Sequence, residues 1–345
     1  MRIRGTFITL LVLALVLTAT DAVASGRNRS GTAGAQELLI PVGARGISLS
    51  GTYIGGFTGL DAIYYNPAGL SRMTNSTQAM FSHTSYMADI GIEYGGVGAK
   101  FGFGTVALTL KSISFGDIPV TDELNPDGTG ATYSPTFTVL GFTYSRDLTD
   151  RITVGATFNY VHEGIMSTTA NGFAVNAGVQ YNGVGGVPGL KLGVALKNLG
   201  LDMQFDGPDL FRVMQAQGTL RDPALAKVET ATFQLPSLLE VGLSYDYTPM
   251  ENSRLSLAGM YQNNNYSDDE YRLGLEYAYN DMFFLRGSYS LTQAGSTDVF
   301  KILYGPGFGA GIHYNAGGVD LTLDYAYQSL KLFNANQIFS LLIGF

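Results

Sequence analysis

Ile338-Phe339-Ser340-Leu341-Leu342-Ile343-Gly344-Phe345 closes the chain, and its reading decides the fold. Phe339, Leu341, Ile343 and Phe345 fall on one side of an extended strand. Ile338, Ser340, Leu342 and Gly344 fall on the other. An apolar strand that finishes flush on an aromatic residue would leave a sticky edge in a soluble protein. As the last strand of a closed barrel in a bacterial outer membrane it has no free edge, because closure pairs every backbone group. Phe345 is then the barrel-assembly terminus.

The same period of two recurs upstream. Ile152, Val154, Ala156, Phe158 and Tyr160 alternate with Thr153, Gly155, Thr157 and Asn159. Phe173 to Tyr181, Leu239 to Tyr247, Tyr271 to Tyr279 and Val319 to Tyr327 repeat the pattern. One face is apolar; the other carries charges, amides and glycines. A soluble sandwich would bury the apolar face, and a membrane barrel would turn it to lipid. Alternation by itself does not choose between them. Tyrosines near strand ends, where an interfacial girdle belongs, favour the barrel.

Connection lengths favour it further. About fourteen strands are predicted between residues 76 and 345, the even number expected of a bacterial single-chain barrel. Tight connections such as Gly102-Phe103, Asn280-Asp281 and Ala316-Gly317 alternate with longer ones at Phe115–Ser134, Gly200–Leu235, Gln293–Leu303 and Leu330–Asn336. Short periplasmic turns and longer outer loops are the barrel arrangement. Within Gly200–Leu235, the spacing of Leu210, Val213 and Met214 predicts a short helix.

Composition agrees. Charged residues make up only 14% of the 345, against 45 Gly, 21 Tyr and 20 Phe. Cysteine is absent, which excludes disulfides, thiolate metal sites and a lipidated N-terminal cysteine. A net charge of −8 without a basic patch excludes nucleic acid as a partner. Residues 1–24 have the three-part layout of a secretory signal. Arg2 and Arg4 lead, Phe7–Leu17 is apolar, and Ala22-Val23-Ala24 offers a cleavage site. That apolar run is shorter than the ~20 residues a membrane helix needs.

Residues 25–75 differ in character. They are rich in glycine and small residues, lack long alternation, and are too few to hold their own core. A barrel lumen is their natural host, giving an N-terminal hatch segment (25–75) and a barrel (76–345). Gln36-Glu37-Leu38-Leu39-Ile40-Pro41-Val42-Gly43-Ala44-Arg45-Gly46 and Leu60-Asp61-Ala62-Ile63-Tyr64-Tyr65-Asn66-Pro67-Ala68-Gly69-Leu70 resemble the N-terminal region of the PorV/PorQ family, within the wider FadL-like group. The resemblance implies an all-β transmembrane barrel with a hatch, the hatch motif lying at Asn66, Pro67, Ala68 and Gly69. It also implies a non-enzymatic role in passing secreted cargo from the type IX translocon to the cell surface. The wider group implies an alternative, transport of a hydrophobic ligand across the outer membrane with a lateral opening in the barrel wall.

Elementary chemistry gives the motif a structural reading too. Asn66 suits a helix N-cap and Pro67 the first helical position. Gly95, Gly96 and Gly98 lie in the second predicted strand, where they mark a candidate kink for a lateral opening or make room for the hatch. Other sites are not indicated. His83, His162 and His313 have no triad spacing, Gly305–Gly311 lacks the lysine of a phosphate loop, and Asp268-Asp269-Glu270 reads as a solvated outer loop rather than a calcium site. No catalytic residue, metal or cofactor is expected; membrane lipid is the expected surrounding. The mixed charges facing the lumen (Lys191, Lys197, Glu240, Asp246, Arg254, Arg272, Glu276, Arg286, Asp320 and Asp324) should pair with one another or with the hatch.

Overall fold

A computed structural model describes residues 31–215, 222–292 and 304–345. The signal segment 1–24 and the expected loop at 293–303 lie outside the described residues. Fourteen long strands form one antiparallel sheet. They are β1 (Thr77–Ser85), β2 (Gly91–Phe101), β3 (Gly104–Ser114), β4 (Thr136–Asp147), β5 (Ile152–Ile165), β6 (Thr168–Asn182) and β7 (Leu190–Gly200). The second half comprises β8 (Leu238–Met250), β9 (Ser253–Asn264), β10 (Glu270–Tyr279), β11 (Phe283–Thr292), β12 (Tyr304–Ala316), β13 (Val319–Leu330) and β14 (Asn336–Gly344). Each pairs with the next, and β14 pairs back onto β1 from Gln78–Gly344 to Ser85–Gln337, closing the barrel.

The orientation of the strands resolves what alternation left open. Large apolar side chains face outward: Phe158 is 48% exposed and Leu273 58%. On the same strands Asn159, Asn176, Gln180, Glu240 and Glu276 face inward and are buried. This is the inverse of a water-soluble sandwich, and burial of polar groups inside an apolar exterior fits a lipid-facing wall. Tyr247, Tyr277, Tyr279, Phe283 and Tyr314 are exposed near the short-turn end. There Phe101 and Phe103 stack at 5.3 Å, and Tyr144 donates to the Phe103 carbonyl at 2.7 Å. Such an aromatic band is the girdle the tyrosine positions predict.

Loop parity holds with two exceptions. At the short-turn end the β6–β7 connection, 183–189, is longer than 86–90, 265–269 and 331–335 at the other end. The β5–β6 connection at the long-loop end is only Met166-Ser167, a tight turn with Met166 at φ 53°. Among the described residues of the β7–β8 loop, Leu210, Val213 and Met214 do not form the expected helix. A single 3₁₀ turn, Pro208–Leu210, leads into a two-stranded ribbon in which Phe211–Met214 pairs with Ala224–Lys227. These residues have no buried face to support an isolated helix, whereas ribbon pairing supplies backbone partners and suits Phe211 and Val213. A further short strand of this loop, Phe205–Asp206, pairs with Ala170 and Thr169 of β6 and completes the wall above β7.

Candidate functional site

The segment before β1 fills the lumen from end to end. Ala33 bridges to Gln234 of the long β7–β8 loop, and Ser76 N–H donates to the Phe345 carbonyl at the short-turn end. Between them lie a 3₁₀ turn (Gln36–Leu39), a short helix α1 (Ala44–Ser48) and two more 3₁₀ turns (Gly59–Ala62 and Pro67–Arg72). The barrel has its core here. Leu49, Ile54, Phe57 and Tyr65 pack against Ala258 and Met260 of β9. Val42, Leu60, Ile63 and Leu70 pack against Met80, Tyr94 and Ala107 of β1–β3.

Asn66 and Pro67 are placed as their chemistry predicts. Asn66 is the extended N-cap residue of the last 3₁₀ turn, its Oδ1 accepts from Ala68 N–H at 3.1 Å, and Pro67 occupies the first helical position. The Asn66 side chain does more than cap. Its Nδ2 donates to the carbonyls of Ile54 in the hatch and Val179 in β6, both at 3.0 Å, and lies 3.4 Å from that of Val194 in β7. Val179 and Val194 are register partners, so Asn66 is stapled onto the β6–β7 seam. Ala68 offers its carbonyl to Ser145 Oγ at 2.8 Å, and Ser71 Oγ donates to Asp147 at 2.6 Å. Gln180 Nε2 reaches the carbonyls of Ile54 and Phe57.

Glycines let the hatch backbone lie flat on the wall. A Cβ at Gly155 would overlap the Pro67 carbonyl, one at Gly178 the Asn66 side chain, and one at Gly274 the Thr52 side chain. Gly155 and Gly178 are register partners, as are Gly193 and Gly242, so these positions form a belt at similar depth. Gly69 of the motif is equally enclosed, with Phe57 and Ala62 where its Cβ would stand. The glycine content therefore has a tertiary cause.

Gly95, Gly96 and Gly98 lie in an unbroken stretch of the ladder. β2 pairs without a register shift with both β1 and β3 through these positions. A Cβ at Gly98 would meet Leu60 of the hatch at 3.0 Å, and one at Gly96 would meet Thr109 at 3.1 Å, while at Gly95 the nearest atom is 3.8 Å away. Two of the three make room inside the wall. The register break nearest the hatch motif is at β6–β7, between Val175 and Ala177. There Asn198 adopts φ 59°, its N–H donates to Asn176 Oδ1 at 2.7 Å, and its Nδ2 reaches the Pro236 carbonyl. Ordinary alternation hides this bulge, because Asn-Leu-Gly reads equally well as strand end or turn.

The lumen charges pair as expected. Glu276 is the hub. It accepts from Arg45 of α1 at 3.2 Å, Arg286 at 2.7 Å and Arg254 at 3.4 Å, and Arg286 continues to Asp324 at 2.5 Å. Lys191 binds Asp246 at 2.7 Å and Lys197 approaches Glu240 at 3.5 Å. Lys197 also stands 4.1 Å from the ring centre of Tyr64, on whose ring Lys111 sits at 5.1 Å. Toward the short-turn end a cavity of about 410 Å³ is lined by Arg45, Asp61, Lys191, Arg254, His313 and their neighbours. Burial, opposed by the Arg45 guanidinium, raises the Asp61 carboxyl to about 6. His313 contacts Thr322 Oγ1 at 2.9 Å, with Asp320 3.7 Å away. In the β9–β10 loop, Asp269 accepts from Tyr261, Asn263 and the Asn264 backbone, so it closes the loop.

No protein-family model matches the sequence, and no curated protein does. Solved structures match along most of the chain. CymD, a monoaromatic hydrocarbon channel, has a TM-score of 0.55 at 13% identity, covering 88% of this chain and 97% of its own. A Pseudomonas aeruginosa FadL homologue scores 0.53 at 13% identity, with 88% and 98% covered. The Pseudomonas putida toluene transporter TodX scores 0.51 at 13% identity, with 86% and 96% covered. At such identity the likeness establishes a shared fold.

Proposed function

We propose that this chain is a non-catalytic outer-membrane channel through which hydrophobic small molecules enter the cell. The observation that carries the reading is the combination of an apolar outer wall with a lumen stoppered by its own N-terminal segment, on the fold shared with the hydrocarbon channels. The charged cavity at the short-turn end argues against straight passage of an apolar solute through the lumen, since each buried charge would have to be stripped of its partner. Sideways exit avoids it. The β6–β7 bulge supports an exit there rather than at β2: it breaks the ladder, and its inner side adjoins the apolar cluster of Leu38, Ala170, Ala174, Met203 and Leu235.

The test is uptake of radiolabelled toluene and of a long-chain fatty acid by intact Gram-negative cells with and without the protein. Uptake several-fold above the empty host is expected. Cross-linking the seam with V175C/L199C, the only thiols in the chain, should abolish the gain until reductant is added. Unchanged uptake in the oxidised variant removes the seam, and no gain over the empty host removes the transport reading. The mature protein should start at Ser25, which its intact mass decides.

Cargo handling for type IX secretion is the second reading. Its specific support is the exposed ribbon in the β7–β8 loop, where Val213 is 72% and Leu225 68% exposed. Stable co-purification of a secreted protein that is lost on deleting residues 211–227 would favour it over transport.

A further inference from the structure

The hatch is held in two different ways, and its leading stretch carries a buried acid pair. Glu37, on the first 3₁₀ turn, is 2% exposed, and apart from Glu163 neither carboxyl oxygen meets a side-chain hydrogen-bond partner among the described residues. Glu163 of β5, 4% exposed, faces it. The nearest cation is Lys111 of β3, but its ammonium is committed to backbone carbonyls, those of Glu37 at 2.5 Å and Ile40 at 3.0 Å. Lys197 of β7 acts on Lys111 from further round the wall. Besides the Tyr64 hydroxyl, which donates to the Leu39 carbonyl at 2.8 Å, this stretch packs on apolar side chains: Val139 of β4, Val161 of β5, Ala170 and Ala174 of β6, and Met203 and Leu235 of the long loop. Ala33 and Gly34 tie the same stretch to Gln234 of that loop.

Two carboxylates in an apolar enclosure cannot both be ionised at low cost, and one lysine already bound to carbonyls does not neutralise both. We propose that Glu37 and Glu163 form a proton-dependent latch, holding the leading stretch of the hatch against the wall while they share a proton and releasing it when both ionise. Burial, reinforced by the neighbouring Glu163, pushes the Glu37 carboxyl up to about 8. The sign follows. A carboxyl whose affinity for protons is higher in the seated state stabilises that state fully in acid. The contribution fades as pH rises from the ordinary glutamate range through about 8. The latch is thus closed in mildly acidic surroundings and loosens in alkaline ones, with the body of the hatch still in place.

The full chain, purified in detergent or reconstituted in vesicles, provides the test. Ala35 is buried at the centre of this contact, and A35C introduces the chain's only thiol. Its rate of modification by a small thiol reagent is compared with that of A35C/E37Q at each pH, so that thiol ionisation cancels in the ratio. Between pH 6 and pH 8 the ratio should rise about tenfold or more, as linkage to a displaced carboxyl requires. A35C/E163Q, altered on the wall rather than the hatch, should show a smaller pH response, because Glu37 stays buried but loses its acidic neighbour. A ratio that stays near one over this range overturns the latch, and so does a pH response undiminished in A35C/E163Q. Neither measurement reads transport, so the latch stands or falls apart from the channel assignment.

Discussion

Asn66–Ser71 and Ala33–Leu38 are two ends of one plug, yet they are seated by different physics. The first lies flat on a glycine belt and spends its polar groups on wall backbone and side chains: Asn66 on Val179, Ala68 on Ser145, Ser71 on Asp147. The second touches the wall mainly through apolar side chains and two facing acids, with the Lys111 ammonium on the Glu37 carbonyl and one backbone tie to the long β7–β8 loop. Directional hydrogen bonds in a water-poor lumen are costly to leave unmade, so they fix position. Apolar contacts and a shared proton tolerate displacement. The plug therefore has a fixed body and a conditional lead.

The largest blow to the body should come from its ion hub. E276Q removes the negative charge common to Arg45, Arg254 and Arg286 and puts an amide donor where one acceptor oxygen stood, and Arg286 is itself only 6% exposed. Breaking such a buried set is expected to cost about 3–5 kcal/mol. It should appear as a marked fall in the temperature at which the heat-modifiable band unfolds on a gel. If E276Q melts like the parent, the hub does not hold the hatch.

Next comes the staple. N66A leaves the buried N–H of Ala68 without its acceptor and takes from the Ile54 carbonyl one of its two side-chain donors, a loss of roughly 1–3 kcal/mol. G178A, which places a methyl where the Asn66 amide lies, should cost about 1–3 kcal/mol. Hydrogen exchange should rise across residues 52–72 in both, and protection equal to the parent's would refute the glycine belt as a seat.

L38A sharpens the contrast from the other end. Truncating a buried leucine costs about 2–3 kcal/mol where the site collapses around the gap and more where it does not, but here the loss should be local. Exchange should rise at residues 33–40 and remain unchanged at 66–71. Equal rises in both would show that the plug moves as one body. The smallest effect belongs to G95A, whose Cβ meets nothing nearer than 3.8 Å, and stability within about 0.5 kcal/mol of the parent is expected. A large loss there would revive a special role for that glycine.

Much of this was legible before any coordinates. Strand limits, the even strand number and the parity of most turns follow from period-two alternation and turn residues, which are local properties. Asn66-Pro67 announced its own cap for the same reason: N-cap and first-turn preferences depend only on adjacent backbone. The ribbon of Phe211–Met214 and Ala224–Lys227 is not legible in the sequence, because Leu210, Val213 and Met214 satisfy a helical spacing that the tertiary structure does not reward with a buried face.

What the sequence by itself determined is the ladder: where strands run, where they turn, and which residues share a side. Only the tertiary structure decided which side is inside, because an alternation of period two is unchanged when its two faces are exchanged. The same holds for the glycine belt, the β6–β7 bulge and the meeting of Glu37 with Glu163. Each joins residues more than twenty positions apart or depends on close backbone approach, and neither leaves a mark in local spacing.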